Sequence, residues 1–361
     1  MGKVKPLNNT AMMPEAAQTA EPDTDVTDFE HLYKSMWVCK KNTTWKDSVA
    51  HFYLNGISES LNLENQFETG QYKPRPPHEF QITHPKPRKA ISISFRDRVY
   101  QRSLNDNIVY PEMTKSFIYA NLACQKGKGT DAARELLKND MRKAYQKYGL
   151  HCPILTCDIK GYYDSLHHDY INKAFRKRIG GAHAEMAINV LDGQYSGTKG
   201  YNPGSQMVQI AGISALDPMD HFIKEKLQER IYRRYMDDFN IINPSIEKLK
   251  EDEQKISNYL LEIGLQLHPK KTYITDIHNG ILFLGFIFRV TETGKVLMLI
   301  NPDNVKAERK RLYREVRKAE RGEMSRKKIY EGYQCWRNHA SKGNCSKVIE
   351  RMDKYMKELW R

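Results

Sequence analysis

The apolar positions change period several times along the chain, and each change marks an element. From FEHLYKSMWVCKKNTTW through VAHFYLNGISESLNLENQF they recur at helical spacing. The stretch GQYKPRPPHEFQITHPKPRKAISISF is broken by prolines and then alternates as strands do. DRVYQRSLNDNIVYPEM returns to helical spacing, and GKGTDAARELLKNDMRKAYQKYG predicts a long helix that Gly149 ends. CPILTCDI is a short apolar run closed by an acid, which predicts a buried strand delivering Asp158 at its end. ALDPMDHFIKEKLQER is helical, and IYRRY and FNII then read as two strands of a hairpin with MDD between them. IEKLKEDEQKISNYLLEIG predicts an amphipathic helix, and GILFLGFIFRVTETGKVLMLI a strand and a hairpin. From Asn304 the pattern is helical again, with Val305, Leu312 and Val316 on one face and Arg/Lys on the other. Residues 1–28 are polar and acidic and are predicted to be a mobile tail. No internal repeat or low-complexity segment interrupts this order.

Composition narrows the class. The 361 residues are 40% hydrophobic, enough to bury a sizeable core. No run of 18 apolar residues occurs, so no membrane span is expected. MGKVKPLNNT lacks the apolar stretch of a secretory signal. The six cysteines are scattered and fit a reducing, cytoplasmic setting. The net charge of +14 points to an anionic partner, most often nucleic acid. That charge is concentrated: residues 301–361 hold 18 Lys/Arg against 9 Asp/Glu, whereas the first 30 residues hold 2 against 6.

Two adjacent aspartates at a hairpin tip repel each other unless a cation binds them. With Asp158 brought alongside by the sheet, three carboxylates would converge with Asp237 and Asp238. Such a cluster suits two divalent ions, one activating an attacking oxygen and one stabilising a leaving oxygen. Mg²⁺ fits best, being hard and oxygen-liganded, with Mn²⁺ as an alternative. An isolated DD is ordinarily a solvated turn; the flanking apolar strands shift the balance here.

These residues carry a resemblance. YMDD at 235–238 resembles motif C of reverse transcriptases, and CDIKGYYDSLHHD at 157–169 resembles their motif A, with an aromatic five residues after the Asp. RKAISISFRDRVYQRSLND and SFIYANLACQKGKGTDAA resemble the finger segments of the bacterial and phage group. LQLHPKKT is similar to motif D and FLGF to motif E. The blocks follow the family's order from about residue 85 to 290. The resemblance implies an α+β right-hand polymerase: fingers over 29–150, a palm over 151–299 whose antiparallel sheet carries the YMDD hairpin, and a basic helical thumb over 300–361. It implies RNA-directed DNA synthesis from dNTPs, with an RNA template and a DNA product as partners.

The resemblance also implies roles. Asp158, Asp237 and Asp238, with the backbone of Ile159, would hold metal. Lys271 would donate a proton to the departing pyrophosphate, although Lys270 beside it carries the same chemistry. Lys86, Arg88, Tyr163, Gly204 and Gln209 would contact the nucleotide, Tyr163 as the ring that excludes a ribose 2′-OH. Phe283, Leu284 and Gly285 would form the primer grip. Lys126, Lys128, Lys310, Arg314, Arg317 and Trp336 would hold nucleic acid through phosphates and stacking. One stretch departs from the pattern. In YNPGSQMVQ, Pro203 stands where many relatives have Gln before the glycine, and Val208-Gln209 where they have Ser-Pro. That ending is more similar to diversity-generating and phage-defence enzymes than to intron or retron ones. The expectation is therefore a compact defence-type enzyme, without an appended nuclease, working on a dedicated noncoding RNA. Diversity-generating and retron roles stay open, as do a second copy or an accessory protein as partner. The rival reading is a non-catalytic RNA-binding scaffold. Cys335, His339 and Cys345 lack a fourth ligand and a zinc-like spacing.

Overall fold

The computed structural model describes residues 25–82, 87–202 and 204–360. Most of the expected tail therefore lies outside the described residues. Its last part is packed: Val26 is buried, its carbonyl accepts from Ser103 Oγ, and Asp28 caps the first helix by accepting from His31 N.

The chain opens with α1 (Phe29–Cys39), α2 (Asp47–Leu54) and α3 (Gly56–Glu68), followed by a hairpin of β1 (His78–Ile82) and β2 (Arg88–Ser92). Helix α4 (Phe95–Leu104) starts on Ser94, whose hydroxyl accepts from Asp97 N. It runs through a π-turn at Asn105–Val109 into α5 (Tyr110–Thr114). Helix α6 (Thr130–Tyr148) lies between two glycines at positive φ, Gly129 and Gly149. β3 (Pro153–Cys157) is buried along its whole length. Next come α7 (Tyr162–Ser165), α8 (His168–Arg178), α9 (Gly181–Asp192), α10 (Gln206–Ala215), capped by Ser205, and α11 (Asp217–His221). β4 (Ile231–Tyr235) and β5 (Asp238–Ile242) form the expected hairpin, and α12 (Ile246–Glu262) follows on a Ser245 cap. β6 (Tyr273–Asp276), β7 (Ile281–Phe283), β8 (Phe286–Val290) and β9 (Val296–Ile300) precede α13 (Pro302–Glu320), α14 (Arg326–Ala340) and α15 (Ser346–Glu358).

Two sheets position what matters. The antiparallel order β4-β5-β3-β6 makes the first, and β7-β8-β9 makes the second. β3 is central and apolar on both faces because helices cover both sides. One apolar core joins the α1–α4 helices to this sheet and to α8–α12. Another joins the second sheet to α6 and to α13–α15, with Leu312 and Val316 buried as their spacing predicts. Cys345 belongs to this second core, where its sulfur receives Ile300 N–H. β6 is a strand that the apolar pattern does not mark, since its side chains are all exposed or half-buried. Among the described residues no helix is long and apolar enough to cross a membrane.

Candidate active site

Strand pairing alone brings the acids together. Cys157 on β3 pairs with Phe239 on β5, so the next rung sets Asp158 opposite Asp238. On the other edge Thr156 pairs with Tyr273, and the same register carried two residues on sets Lys271 opposite Asp158. The side chains meet: Lys271 Nζ donates to Asp158 Oδ2 at 2.6 Å. The loop after β3 is pinned by His268 N donating to Asp158 O at 2.7 Å and by an Ile159–Leu267 bridge, which leaves Ile159 buried.

The electrostatics follow from that crowding. Burial pushes Asp238 up to about 7, helped by the neighbouring charges of Asp237 and Asp158. Burial also raises Asp237, with the Asp158 charge adding to it. Lys271 is raised by its hydrogen bond to Asp158 and by all three acids, so it stays an ammonium. Among the described residues no group of three or more His, Cys, Asp or Glu side chains is drawn in to metal-ligand spacing. Positive charge beside the acids comes from the Lys271 ammonium and, for Asp237, also from Arg234.

The tip of the β4–β5 hairpin is the two-residue turn Met236-Asp237, closed by the Tyr235–Asp238 pair. Met236 has φ +58°, so the turn has positive φ at its first central residue only, the type II′ pattern. Tyr163 lies against α10: a Cβ at Gly212 would sit 2.9 Å from its ring. Its hydroxyl is buried without a partner, and burial keeps it neutral. Gln209, one turn earlier on α10, receives Cys124 Sγ at 3.6 Å, and Cys124 also lies 3.8 Å from Met236 Sδ. Gly204 lines a cavity of about 410 Å³ with Lys41, Phe80, Arg98 and Arg102.

Other expected residues divide. Lys86 lies outside the described residues, and of Arg88 only the backbone, on β2, is described. Phe283, Leu284 and Gly285 form the β7–β8 turn, with Phe283 in the core and the other two at φ +46° and +85°. Lys310 and Arg314 are exposed on α13, beside Tyr313 and Tyr355. Arg317 is exposed but paired with Glu320 at 2.9 Å. Lys126 is exposed, with its ammonium over the Tyr110 ring.

Two expectations need correction. Trp336 does not offer a stacking face: it is 8% exposed, stacks on buried Tyr333 and donates Nε1–H to Asn304. Lys128 is not a free phosphate ligand either. Its ammonium is spent on the carbonyls of Tyr119 and Asn121 and on Gln125 Oε1.

Two arginines that the sequence reading passed over as strand residues are fully buried beside the turn. Arg233 pairs with Asp140 on α6 at 2.8 Å, and Arg234 with Asp220 on α11 at 2.5 Å. Adjacent charges in an apolar strand were the available signal.

A family model described as reverse transcriptase (RNA-dependent DNA polymerase) matches residues 81–288. No curated protein matches the chain. Among solved structures, a telomerase from Candida albicans in complex with a TWJ fragment of telomeric RNA is similar at 13% identity, covering 73% of this chain and 55% of that one, with a TM-score of 0.47. An apo telomerase from Candida tropicalis, truncated from its C-terminal domain, gives 15%, 69%, 60% and 0.43. Another apo telomerase of Candida tropicalis gives 15%, 70%, 54% and 0.44. The chain thus spans a little over half the length of these solved chains.

Proposed function

Because the chain belongs to the reverse transcriptase (RNA-dependent DNA polymerase) family, we propose that it extends a primer 3′ end with dNTPs along an RNA template, by nucleotidyl transfer at Asp158, Asp237 and Asp238. Its α+β architecture is the right-hand polymerase fold of that family. The observation that carries the proposal is the register that sets Asp158 between Asp238 and Lys271.

The donor set fits hard divalent cations. All the side-chain donors are carboxylates, burial and the neighbouring acids raise the proton affinity of Asp237 and Asp238, and an ammonium already pairs with Asp158. Asp158, Asp237 and Asp238, with the Ile159 carbonyl, would hold Mg²⁺ or Mn²⁺. When bound, the ions would activate the attacking 3′ oxygen and stabilise the leaving phosphate oxygen. The residues of the chain supply the rest. Lys271 keeps its proton and is held beside the acids, where a departing pyrophosphate would need one. Tyr163 packs against α10 at Gly212, a contact that would hold its ring toward a 2′-OH. The Leu284-Gly285 turn would guide the primer backbone, and exposed Lys310 and Arg314 would hold phosphates.

The finer reading is a phage-defence enzyme copying a dedicated noncoding RNA. Its support is Gln209 at the end of YNPGSQMVQ, which accepts from Cys124, itself in contact with Met236 of the turn. Incorporation of dNTPs on a primed RNA template by the purified chain tests the activity, and a folded Asp237→Asn protein with wild-type synthesis would sink the site. Sequencing of the nucleic acid that copurifies tests the finer reading; unrelated cellular RNA alone would refute it.

A further inference from the structure

We propose that Arg234 is a positioning residue that sets the catalytic turn and ties it to the ring of Tyr163. The proposal rests on the polymerase reading above. Arg234 has no exposed surface. Its Nε and Nη2 donate to the two Asp220 oxygens at 2.7 and 2.5 Å. Tyr232 OH, donating to the same carboxylate, fixes Asp220 in turn. With the anchor set, two further donors have fixed directions. Nη1 reaches Met236 O at 2.9 Å, and Nη2 reaches Ile213 O at 3.0 Å.

Each acceptor belongs to one half of the nucleotide site. Met236 is the strained residue of the turn, and Asp237 follows it. A non-glycine residue at positive φ is strained, so it needs an external hold. Ile213 follows Gly212, whose missing Cβ makes room for the Tyr163 ring and whose carbonyl accepts from Tyr162 OH. One planar fork therefore fixes the distance between the acid-bearing turn and the gate ring. The main chain of the same residue adds a third tie: Arg234 N donates to Ala120 O and Leu122 N to Arg234 O, steadying the segment that leads to Cys124. A lysine at 234 would keep the charge for Asp220 but, as a single nitrogen, could not span the carboxylate and both carbonyls.

The bland alternative is that the Arg234–Asp220 pair merely supports the core. Arg233 supplies the matched control. It is equally buried, and its Nε donates to Asp140 on α6 rather than to the turn or to α10.

The experiment compares Arg234→Lys, Arg233→Lys and Arg234→Lys/Met236→Gly in the full chain, on a primed RNA template. It reads kcat, KM for dNTP, and the ratio of kcat/KM for a dNTP to that for its matching rNTP. Arg234→Lys is expected to lower kcat about 10- to 100-fold with KM little changed, and to narrow the sugar ratio about fivefold or more. Arg233→Lys is expected to melt lower while keeping kcat and the ratio within about twofold. Glycine adopts positive φ freely, so Met236→Gly should return much of the kcat lost in Arg234→Lys. Equal losses in the two lysine variants, an unchanged sugar ratio in a folded Arg234→Lys, or no rescue by Met236→Gly overturns the proposal. Should Arg234→Lys not fold, Asp220→Asn carries the same readouts; loss of fold in both overturns it too, since the pair would then be holding the core. A wild-type chain without dNTP incorporation overturns the polymerase reading and this inference together, whereas an active wild type with like-behaving lysine variants overturns this inference alone.

Discussion

The turn at Met236-Asp237 and the turn at Leu284-Gly285 each join two antiparallel strands through two residues, and each begins on an apolar residue at positive φ, +58° and +46°. In each, a buried arginine donates to the carbonyl of that strained residue: Arg234 to Met236 O and Arg134 to Leu284 O, both at 2.9 Å. The anchors differ. Arg234 is held by Asp220, which has no exposed surface. Arg134 is held by Asp131, whose side chain is 68% exposed and also pairs with Lys342 beyond α14. The first turn is thus fixed from inside the core. The second is fixed through a surface ion pair shared with the C-terminal helices, and surface pairs contribute little and yield easily. The residue after the strained one differs as well: a carboxylate in the first turn, a glycine at φ +85° in the second. A rigid turn suits charge chemistry, which tolerates little displacement. On the proposed polymerase reading, a yielding turn would suit a primer that must translocate.

The largest expected effect separates the two turns by chemistry. Asp237→Asn should lower kcat by about 10²–10³-fold or more, since metal-held charge stabilisation contributes several kcal/mol. Leu284→Gly, which removes strain and no charge, should leave single-nucleotide kcat within about threefold. The check is single-turnover incorporation on a saturating primed template. A large kcat loss in Leu284→Gly would show that the second turn also bears on the chemistry.

Arg134→Met comes next. Methionine keeps a stem to pack over the Phe286 ring but removes the donors to Leu284 O. The expected outcome is an approximately tenfold higher KM for primer-template, from about 1.4 kcal/mol of lost positioning, with kcat little changed. The opposite split, in kcat and not in KM, would make the two arginines equivalent and erase the distinction.

How much of this was legible in sequence depends on which residues neighbours decide. The acid cluster was legible because register is counted along strands: once CPILTCDI and FNII are strands, Asp158 and Asp238 meet. The arginine anchors were not legible in role. On a strand, adjacent side chains point to opposite faces, so Arg233 and Arg234 each need a separate covering element. α6 supplies Asp140 to one and α11 supplies Asp220 to the other. Those acids are 93 and 14 residues away, and nothing local names them. Trp336 is a different failure. Basic neighbours suggested an exposed ring, but Ile329, Tyr333, Trp336 and Ala340 recur at helical spacing, and all four are buried. Periodicity should have outranked composition there. β6 escaped notice because half-exposed Ile274 is the one aliphatic residue in Tyr273–Asp276.

A smaller effect asks whether the second turn shares a nucleic-acid surface with α13. Among the described residues Lys310 and Arg314 have no ion-pair partner, unlike Arg317. Their joint change to Ala should weaken binding similarly across unrelated sequences. It should also flatten log K against log salt by about 0.9 per lost contact on B-DNA, or about 0.7 on single strands. Titration at several salt concentrations reads this directly, and an unaltered slope moves the phosphate contacts to another surface.

The smallest effect concerns stability, and it distinguishes the two turns by pH. The open end of the first hairpin is closed by Glu229, which is 2% exposed, receives Asn243 Nδ2 at 2.8 Å and faces fully buried Asp252, itself paired with Lys248. Burial and the Asp252 carboxyl push Glu229 from 4.5 up to about 7. Its folded value is the higher one, so the folded chain holds the proton more tightly. The stability this provides is full below pH 4.5 and is lost as pH rises toward and past 7. Beside the second turn, burial lowers His339, which lies against Gly285. That group works in the opposite sense: its contribution is present above the ordinary value of 6.5 and is lost as pH falls. Glu229→Gln should therefore stabilise the chain at pH 8, by on the order of 1–2 kcal/mol, and change little near pH 4.5. His339→Gln should flatten only the acid side. Urea melts across this range measure both. If Glu229→Gln leaves the alkaline slope as in the wild type, the buried acid pair is not what makes the first hairpin pH-sensitive, and the contrast between the two turns reduces to their arginine anchors.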